Sequence, residues 1–488
     1  MEQSSIIPSL GITGSTDNMT FDELYQTLNV EQKNALTLLA SGQNVFITGN
    51  AGTGKSYLIK AFDKYCESKG IALVKTAPTG IASMEIGGAT LHSQFGLKVG
   101  LDLAKPNKFP DGFQKVDCLL IDEISMVRID VFDKIMEIVE LANEAKKKPI
   151  QLVFVGDFYQ LPPVLSREDK DILDKHYGTD IGCGFCFQST YWAKNKIKTM
   201  NLETVIRQEN QAFCAALDKC KIGDSGCLSF LRENSSPAEI PNAIWVCGKN
   251  STVNKKNEDE LQKIEDSRQY ESWAEYDGKA SKLDKLCDEV FQFKIGARAV
   301  MLCNDTEKFM YQNGSLGTVK DVRRDKIFVQ IDHGELVEVS RKAFPKYAYT
   351  FSDKTVSRKK IGSAFQYPMR LGYAVTVHKS QGQTYSEMNL APEIFSIGQL
   401  YVALSRCKTI EQIYINGYLS KRMVMASSEV NKFYADPDNY SFFKTDEQLL
   451  LEDITEHTNS ETEQMVTITI PQRHLSSVKA LLKSLEST

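Results

Sequence analysis

The fold of this 488-residue chain is decided by residues 44–56, which read NVFITGNAGTGKS. The apolar first half predicts a short buried strand, and the Gly-rich second half opens a predicted helix with an apolar face of Leu58, Phe62 and Cys66. Glycines allow the backbone N–H groups of such a loop to turn inward around phosphate groups, and the start of the helix adds positive potential. The segment therefore predicts a phosphate-binding loop (P-loop) for ATP or GTP.

The P-loop residues have distinct expected roles. Lys55 should reach the β- and γ-phosphates, and the hydroxyl of Ser56 should ligate Mg²⁺. The residues that should line the nucleotide are Gly49, Asn50, Ala51, Gly52, Thr53, Gly54, Lys55 and Ser56. A pattern this short also arises by chance, but its position between a predicted strand and a predicted helix favours nucleotide binding.

Another predicted strand, residues 118–121, ends in the paired acids Asp122 and Glu123. Asp122 is placed to hold Mg²⁺, directly or through water, and Glu123 can polarise a water molecule toward the γ-phosphate. The plain alternative is two solvated carboxylates at a strand end, which the P-loop disfavours. A P-loop kinase needs only the first acid, so the pair favours an NTP hydrolase.

Short apolar runs alternate with helical patterns from about residue 30 onward. Buried strands are predicted at residues 44–48, 73–76, 118–121 and 152–155. Alternation of this kind is typical of an α/β doubly wound domain with a parallel sheet, here over residues 30–205. A second α/β domain is predicted from strands at 243–247, 373–377 and 412–415.

The second α/β domain is interrupted by a stretch with a different periodicity. Residues 326–332 and 336–340 alternate between apolar and polar side chains, and Asn313-Gly314 marks a tight turn. This pattern indicates antiparallel strands joined by short turns. Residues 289–363 are therefore predicted to form a small β-barrel.

Composition restricts the compartment more than the function. The chain has 42% hydrophobic and 25% charged residues, and it lacks an apolar run of about 20 residues, which excludes a membrane-spanning helix. The first basic residue is Lys33, so the charged start of a signal peptide is missing. Eleven scattered cysteines are typical of reduced thiols. The net charge of −5 leaves nucleic acid open as a partner, because a nearly neutral body can carry a basic groove.

Five further segments occur in a characteristic order. They are residues 76–83 (TAPTGIAS), 90–93 (TLHS), 155–164 (VGDFYQLPPV), 373–384 (YAVTVHKSQGQT) and 398–406 (GQLYVALSR). Together with the P-loop and residues 122–126 (DEISM), their order resembles the helicase motifs of superfamily 1. Residues 123–133 and 156–164 are similar specifically to the petite-integration-frequency (PIF) helicases and their RecD-like relatives. The resemblance covers about residues 30–417.

The resemblance implies a motor with two tandem RecA-like P-loop domains, at residues 21–207 and 208–417, and ATP in the cleft between them. A small SH3-like β-barrel would be inserted in the second domain and a short wedge in the first. The expected protein is a monomer that hydrolyses ATP with Mg²⁺, moves 5′ to 3′ along single-stranded DNA and unwinds duplex, forked or folded DNA. It would be cytoplasmic and nucleoid-associated in a prokaryote or nuclear in a eukaryote, and not secreted.

The resemblance also assigns residues to the ATP cleft. Gln160 would sense the γ-phosphate, and Arg207 and Arg406 would stabilise transition-state charge when the cleft closes. Gln32 would read the adenine, which favours ATP over GTP, and Gly382 would lie at the nucleotide. The expected catalytic set is Lys55, Asp122, Glu123, Gln160, Arg207 and Arg406.

The matched positions for the DNA path combine small hydroxyls, histidines and backbone N–H groups at predicted strand ends, which can hold phosphates without reading sequence. They are Pro78, Thr79, Gly80, Thr90, His92, Ser93, His378, Lys379, Ser380 and Gln381. Phe95 is a candidate for stacking on a base, with core packing as the alternative. The family's wedge would fall at residues 93–117, where we expect a face of Phe109 or Phe113 to meet the DNA fork.

Two other functions share these motifs. A DNA-stimulated ATPase or translocase would lack only the wedge function, and a recombination-complex subunit would use ATP only to switch conformation. All six expected catalytic residues are present, which argues against an inactive ATP site.

The two ends of the chain lie outside the resemblance. Residues 1–20 are predicted to be a disordered lead-in. Residues 418–488 are predicted to be an acidic extension with a short strand at 466–470 and a helix whose apolar stripe runs from Leu475 to Leu485. That stripe is a candidate for docking on the body or for binding a protein partner.

Overall fold

A computed structural model of the chain describes residues 19–436, except for 99, 209, 266–267, 285, 304, 306–309, 312, 333 and 352–355. The predicted lead-in up to residue 18 lies outside the described residues, as do the predicted acidic run, strand and helix beyond 436. Within the described part, every helix is too short or too polar to span a bilayer.

Helices and strands alternate along much of the described chain, as predicted for an α/β protein. The helices are α1 Phe21–Thr27, α2 Val30–Ala40, α3 Lys55–Lys69, α4 Gly80–Glu85, α5 Leu91–Phe95, α6 Ile129–Glu144, α7 Arg167–Tyr177, α8 Thr190–Lys194, α9 Gln211–Lys221, α10 Cys227–Asn234, α11 Asn250–Gln262, α12 Val377–Ser380, α13 Gln399–Leu404 and α14 Ser428–Ala435. The strands are β1 Val45–Gly49, β2 Leu73–Ala77, β3 Ala89–Thr90, β4 Cys118–Ile121, β5 Gln151–Val155, β6 Lys198–Leu202, β7 Ile244–Cys247, β8 Gln269–Trp273, β9 Glu275–Gly278, β10 Val290–Lys294, β11 Arg298–Met301, β12 Leu316–Arg323, β13 Lys326–Ile331, β14 Leu336–Ser340, β15 Lys342–Phe351, β16 Val356–Gln366, β17 Met369–Leu371, β18 Ala374–Thr376, β19 Met388–Leu390 and β20 Ile413–Ile415.

The first domain is built on a parallel six-stranded sheet in the order β3-β2-β4-β5-β1-β6. Every residue of β1, β4 and β5 is buried, as expected for strands that are covered on both faces. The four strands predicted for this domain are confirmed, and β3 and β6 form its two edges. Because β1 lies between β5 and β6, the end of β5 is directly beside the P-loop.

The second domain has a parallel four-stranded sheet in the order β18-β7-β19-β20. The three predicted strands of this sheet are confirmed. Strand β19 was not predicted, because a strand of three residues is too short to show a periodicity. The two strands that flank β7 in this sheet, β18 and β19, therefore come from much later in the chain.

Antiparallel strands lie between β7 and β18. One sheet has the order β14-β13-β12-β11-β17, a second has the order β15-β16-β9, and β10 pairs with β8. Exposed and less exposed residues alternate along β13 and β14, as their period-two pattern predicted. These strands extend from Gln269 to Leu371, so β8 and β9 precede the predicted start at residue 289 and β17 follows the predicted end at 363.

The long hairpin of β15 and β16 reaches the first domain. The hydroxyl of Tyr349 accepts the backbone N–H of Lys75 at 3.0 Å, and the side chain of Gln94 accepts the backbone N–H of Tyr349 at 3.3 Å. Arg358 on β16 donates to the carbonyl oxygen of Gly87. The antiparallel region is thus bonded directly to the domain that carries the P-loop.

The predicted wedge segment packs inward at Phe113. Its side chain is 0% exposed, and its ring lies 5.4 Å from that of Phe95 and 6.1 Å from that of Phe351. The expectation that a face of Phe113 meets a DNA fork is therefore wrong, because the core of the first domain encloses this ring. Phe109 packs partly buried against the same core.

The chain returns to the first domain after the second sheet is complete. Helix α14 places Val430 and Phe433 in the hydrophobic cluster that contains Phe46, Phe154 and Trp192. Within the described part of the predicted extension at 418–488, α14 therefore belongs to the core of the first domain, whereas Leu419 and Val424 pack in the core of the second. This contact was not predicted, because an eight-residue helix does not reveal its packing partner in sequence.

Replacing Phe433 by Ala should destabilise the first domain by about 3 kcal/mol, a typical cost of removing a buried Phe side chain. The measurement is urea unfolding followed by intrinsic fluorescence, since the ring of Trp192 lies 5.9 Å from that of Phe433. Phe395→Ala is the matched control because Phe395 is 55% exposed, and it should leave the unfolding midpoint unchanged. Equal midpoints for both variants would contradict the packing of α14.

Candidate ATP and DNA sites

The P-loop bends tightly between β1 and α3. Gly52 has a φ of +87°, and a Cβ added there would lie 2.4 Å from the Cβ of Arg207. Only glycine therefore fits this position. The Nζ of Lys55 donates to the carbonyl oxygens of Gly49 and Asn50, at 2.7 and 3.0 Å. The ammonium group thus lies against the loop that is expected to hold the phosphates.

The paired acids lie in the buried cleft, immediately after β4. The backbone N–H of Glu123 donates to Oδ1 of Asp122 at 2.9 Å. Burial raises the pKa of both carboxyl groups and lowers the pKa of Lys55, so the cleft disfavours each of these charges. Ser56 is exposed at the start of α3. A hydroxyl and a carboxylate are oxygen ligands that suit Mg²⁺ when water and phosphate complete its shell, so Ser56 and Asp122 fit this ion.

The segment after β5, residues 156–160, is called the β5 loop below. Asp157 is buried and accepts the backbone N–H of Tyr159 at 3.0 Å and the side-chain amide of Gln160 at 3.3 Å. The hydroxyl of Tyr401 donates to the same carboxylate at 3.4 Å. Asp157 had no predicted role, although an acid soon after a buried strand is also the signal that marks Asp122.

Gln381 and Tyr401 of the second domain contact the first domain at this site. The amide of Gln381 donates to Oε2 of Glu123 at 3.0 Å and to Oε1 of Gln160 at 3.3 Å. The hydroxyl of Tyr401 accepts the backbone N–H of Ala51 at 3.0 Å. The structure thus places Gln381 at the ATP cleft, because the chain turns toward the first domain where α12 ends, and its predicted DNA contact stays a prediction. Tyr401 had no predicted role.

Gly398, which precedes α13, allows the two domains to touch. Its φ is +73°, and a Cβ added there would lie 2.3 Å from the carbonyl oxygen of Gln160. Any side chain at this position would force the second domain away from the β5 loop.

Arg207 and Arg406 both lie in the cleft. Arg207 donates to the carbonyl oxygen of Ser405 at 3.2 Å. Arg406 is fully buried and donates to the carbonyl oxygens of Val402 at 2.7 Å and Gln383 at 3.2 Å. Burial, together with the positive charge of Arg207, lowers the pKa of Arg406 to about 9. Both guanidinium groups are therefore held by backbone carbonyls of the second domain.

The two remaining residues assigned to the nucleotide lie in different places. Nε2 of Gln32 donates to the carbonyl oxygen of Gly54 at 3.5 Å, and its Oε1 accepts the N–H of Asn29 at 3.1 Å in the cap of α2. Gln32 thus lies directly against the P-loop. Gly382 instead faces α4, since a Cβ added there would lie 3.4 Å from Oε2 of Glu85.

The first-domain residues of the expected DNA path lie in two capped turns after β2 and β3. Oγ1 of Thr79 accepts the N–H of Ala82, and Oγ1 of Thr90 accepts the N–H of Ser93, each at 3.2 Å. The same two turns contain Pro78, Gly80 and His92. Burial lowers the pKa of His92, so its imidazole is neutral at pH 7 and offers hydrogen bonds without charge.

A narrow groove, with room for about one water molecule, separates these turns from the antiparallel region. Thr90 and Ser93 line one side, and Lys346 and Tyr347 of β15 line the other. Nζ of Lys346 is held by Asp284 at 2.6 Å. Hydroxyl, ammonium and aromatic groups can bind the backbone and bases of a single strand, but the groove would have to widen to admit one.

The second-domain residues of the expected DNA path surround α12. Oγ1 of Thr376 accepts the N–H of Lys379 at 3.2 Å, and Lys379 itself is exposed, 3.7 Å from Asp288. Burial lowers the pKa of His378, so this imidazole is neutral at pH 7 as well. The exposed ammonium group of Lys379 is the charged member of this group.

Two side chains predicted to contact DNA are enclosed by protein. Ser380 is 0% exposed, and its hydroxyl donates to the carbonyl oxygen of Val377 at 2.8 Å. Phe95 is 6% exposed and packs in the core of the first domain. The predicted DNA contacts of both side chains are therefore wrong for this arrangement, because neither is accessible from the groove.

Known proteins are similar to this chain over most of its length. A family model described as PIF1-like helicase matches residues 27–221. The ATP-dependent DNA helicase Pif1 of Bdellovibrio bacteriovorus is 30% identical over 427 residues, which cover 83% of this chain and 91% of that protein. The chain belongs to the PIF1-like helicase family. It spans 62–64% of the length of vertebrate proteins named ATP-dependent DNA helicase PIF1, the human one among them.

Solved structures agree with membership of the PIF1-like family. Pif1 from Bacteroides in complex with ADP-AlF4 is 31% identical, with a TM-score of 0.74 that covers 84% of this chain and 96% of that chain. Bacteroides Pif1 bound to single-stranded DNA is 32% identical, with a TM-score of 0.60 over the same shares of the two chains. The predicted α/β fold class with two tandem RecA-like domains is confirmed.

Replacing Gln381 by Ala should lower kcat for ATP hydrolysis about tenfold, equivalent to about 1.4 kcal/mol, because the contacts to Glu123 and Gln160 are lost. Affinity for a single-stranded DNA oligonucleotide, measured by fluorescence anisotropy, should stay within about twofold. Lys379→Ala is the matched control on the same turn and should weaken DNA binding while kcat at saturating DNA is retained. Weaker DNA binding with normal turnover in Gln381→Ala would contradict the placement of Gln381 at the ATP cleft.

Proposed function

We propose that this chain is a monomeric ATP-dependent DNA helicase that moves 5′ to 3′ along single-stranded DNA and unwinds duplex, forked or folded DNA. The observation that carries the proposal is that one turn of the second domain has both an exposed cation and a contact with the ATP site. Lys379 is exposed, and two residues later Gln381 contacts Glu123 and Gln160 of the first domain. A strand that moves this turn also moves a partner of the expected general base.

The ATP site contains the groups that phosphoryl transfer to water requires. Lys55 and the backbone N–H groups of the P-loop bind the β- and γ-phosphates, and Glu123 accepts a proton from the attacking water. Mg²⁺ held by Ser56 and Asp122 would neutralise charge on the β- and γ-phosphates. Gln160, beside the P-loop strand and bonded to Asp157, is positioned to orient the water or the γ-phosphate.

The two arginines make turnover depend on the position of the second domain. Arg207 and Arg406 are bonded to carbonyl groups of that domain, at Ser405 and at Val402 and Gln383. A change in its position therefore moves Arg406 relative to the P-loop and makes or breaks the bond that holds Arg207. Positive charge delivered to the γ-phosphate only in the closed cleft stabilises the transition state, which couples hydrolysis to domain motion.

The groove between Thr90, Ser93 and Lys346 is the proposed site of the single strand. The groove lies between the first domain and the antiparallel region, so DNA bound there would contact both. The solved structure of Bacteroides Pif1 bound to single-stranded DNA supports DNA as the polymer that this chain binds. The 5′-to-3′ polarity is supported by family membership.

Steady-state ATP hydrolysis should rise about tenfold or more when a single-stranded DNA oligonucleotide is added, because DNA binding would favour the closed cleft. Phosphate release at low and moderate salt measures this effect. Glu123→Gln is the control for the ATP site, since it should bind ATP and DNA but not turn over, whereas Glu411→Gln changes an exposed acid and should behave as wild type. An unchanged rate with DNA would contradict the proposed motor.

A duplex with a 5′ single-stranded tail should be unwound with ATP and Mg²⁺, whereas a duplex with a 3′ tail should remain intact. Strand separation followed by fluorescence of a labelled strand measures both. Displacement of a protein bound to the tail, without separation of either duplex, would instead identify a translocase. Unwinding of the 3′-tailed duplex alone would overturn the proposed polarity.

A further inference from the structure

Tyr434 lies on α14, beyond all the segments that resemble helicase motifs. Its hydroxyl accepts the backbone N–H of Phe158 at 3.2 Å and forms a hydrogen bond of 2.8 Å with Oγ1 of Thr48, in which either hydroxyl can donate. Thr48 directly precedes Gly49 of the P-loop, and Phe158 belongs to the β5 loop. One oxygen atom therefore joins the two segments that are expected to hold the phosphates of ATP.

The ring of Tyr434 supports the same loop. It stacks on the ring of Tyr159, with centroids 4.8 Å apart and planes inclined by 15°. Nζ of Lys221 lies 5.6 Å from the centroid of the Tyr159 ring, and it also contacts Oδ1 of Asn50 at 2.6 Å and Oδ1 of Asp218 at 2.8 Å. The β5 loop and the P-loop are thus connected through Tyr159 and Asn50 to α9 of the second domain.

The backbone at Phe158 and Tyr159 determines where Gln160 points. Asp157 accepts the backbone N–H of Tyr159 and the amide of Gln160, so these three residues form one hydrogen-bonded turn. The hydroxyl of Tyr434 fixes this turn through the N–H of Phe158. Without that hydroxyl, the N–H of Phe158 would lose its partner, and the turn would no longer be tied to the P-loop strand.

The structure assigns Tyr434 as a positioning residue for ATP hydrolysis: it holds the β5 loop, and with it Gln160, in register with the P-loop. The inference deepens the proposed function and rests on it. Tyr434 does not itself touch the expected phosphates, so it acts through Thr48, Phe158 and Gln160.

The apolar anchoring of α14 does not need the hydroxyl of Tyr434. The ring of Phe433 lies 4.5 Å from that of Phe187 and 5.9 Å from that of Trp192, and the ring of Tyr434 packs against the same core. A phenylalanine at 434 would preserve the stacking on Tyr159 and remove the hydrogen bonds to Thr48 and Phe158. Burial and the charge of Asp157 raise the pKa of Tyr434 well above its usual range, so its hydroxyl keeps its proton throughout the working pH range.

The test is Tyr434→Phe in the full chain, with ATP turnover measured in the absence and presence of a single-stranded DNA oligonucleotide. We expect kcat to fall about three- to tenfold in both conditions. The KM for ATP and the DNA affinity should stay within about twofold, and the Tm should fall by only a few degrees, because the buried N–H of Phe158 loses its partner. Tyr418→Phe is the matched control, because Tyr418 is exposed and its ring packs on Arg232 away from the β5 loop.

A double-mutant cycle with Thr48→Val tests whether the hydroxyl of Tyr434 acts through Thr48. If the hydroxyl of Tyr434 acts through Thr48, the two substitutions together should lower kcat by less than the product of their separate effects. Multiplicative effects would overturn the shared role.

A normal kcat in Tyr434→Phe would overturn the assignment, and so would a loss of activity that is fully explained by the fraction of unfolded protein at the assay temperature. Failure of the proposed function looks different. In that case DNA would not stimulate the wild-type chain, whereas the ratio of basal kcat values between wild type and Tyr434→Phe would still decide the role of Tyr434.

Discussion

The buried hydroxyl of Tyr401 is the contact on which the arrangement of the two domains depends. It accepts the N–H of Ala51 in the P-loop and donates to Asp157 in the β5 loop, and the residue is 2% exposed. A buried donor left without a partner costs about 1–3 kcal/mol, so the domains cannot separate here unless water or a ligand replaces the contact. Gly398 approaches Gln160 at the same interface, where the absence of a side chain lets the two domains lie this near.

The electrostatics of the cleft follow from that closeness. Burial raises the pKa of Asp122 and Glu123 and lowers the pKa of Lys55 and Arg406, so acids and bases alike lose the solvation that favours their charged forms. Bound ATP would supply negative charge beside the cations, and a Mg²⁺ ion held as proposed would supply positive charge beside the acids. A site that is unfavourable for its own charges is thereby suited to a charged ligand, a common property of catalytic clefts.

The first domain is completed by residues from distant parts of the chain. Tyr349, on the long hairpin, accepts the N–H of Lys75, and Tyr434, on α14, accepts the N–H of Phe158. Both hydroxyls satisfy backbone donors of a domain whose own sequence lies more than 200 residues earlier. A backbone donor enclosed by packing needs such a partner, which explains why the antiparallel region and the last described helix are integral to the ATP-binding domain.

The sequence by itself determined the P-loop, the acids after β4, the two parallel sheets and the family. Each of these depends on local patterns: a Gly-rich turn between a strand and a helix, or a short apolar run that must be covered on both faces. The contacts of individual side chains were decided only by the tertiary structure. Phe95 and Phe113 became core residues because Phe351, far away in sequence, packs against Phe113. Gln381 was assigned to DNA from its motif, yet it bonds Glu123 because the domains meet there. Whether a side chain is enclosed, and by what, depends on residues brought together by folding, and no local pattern records that proximity.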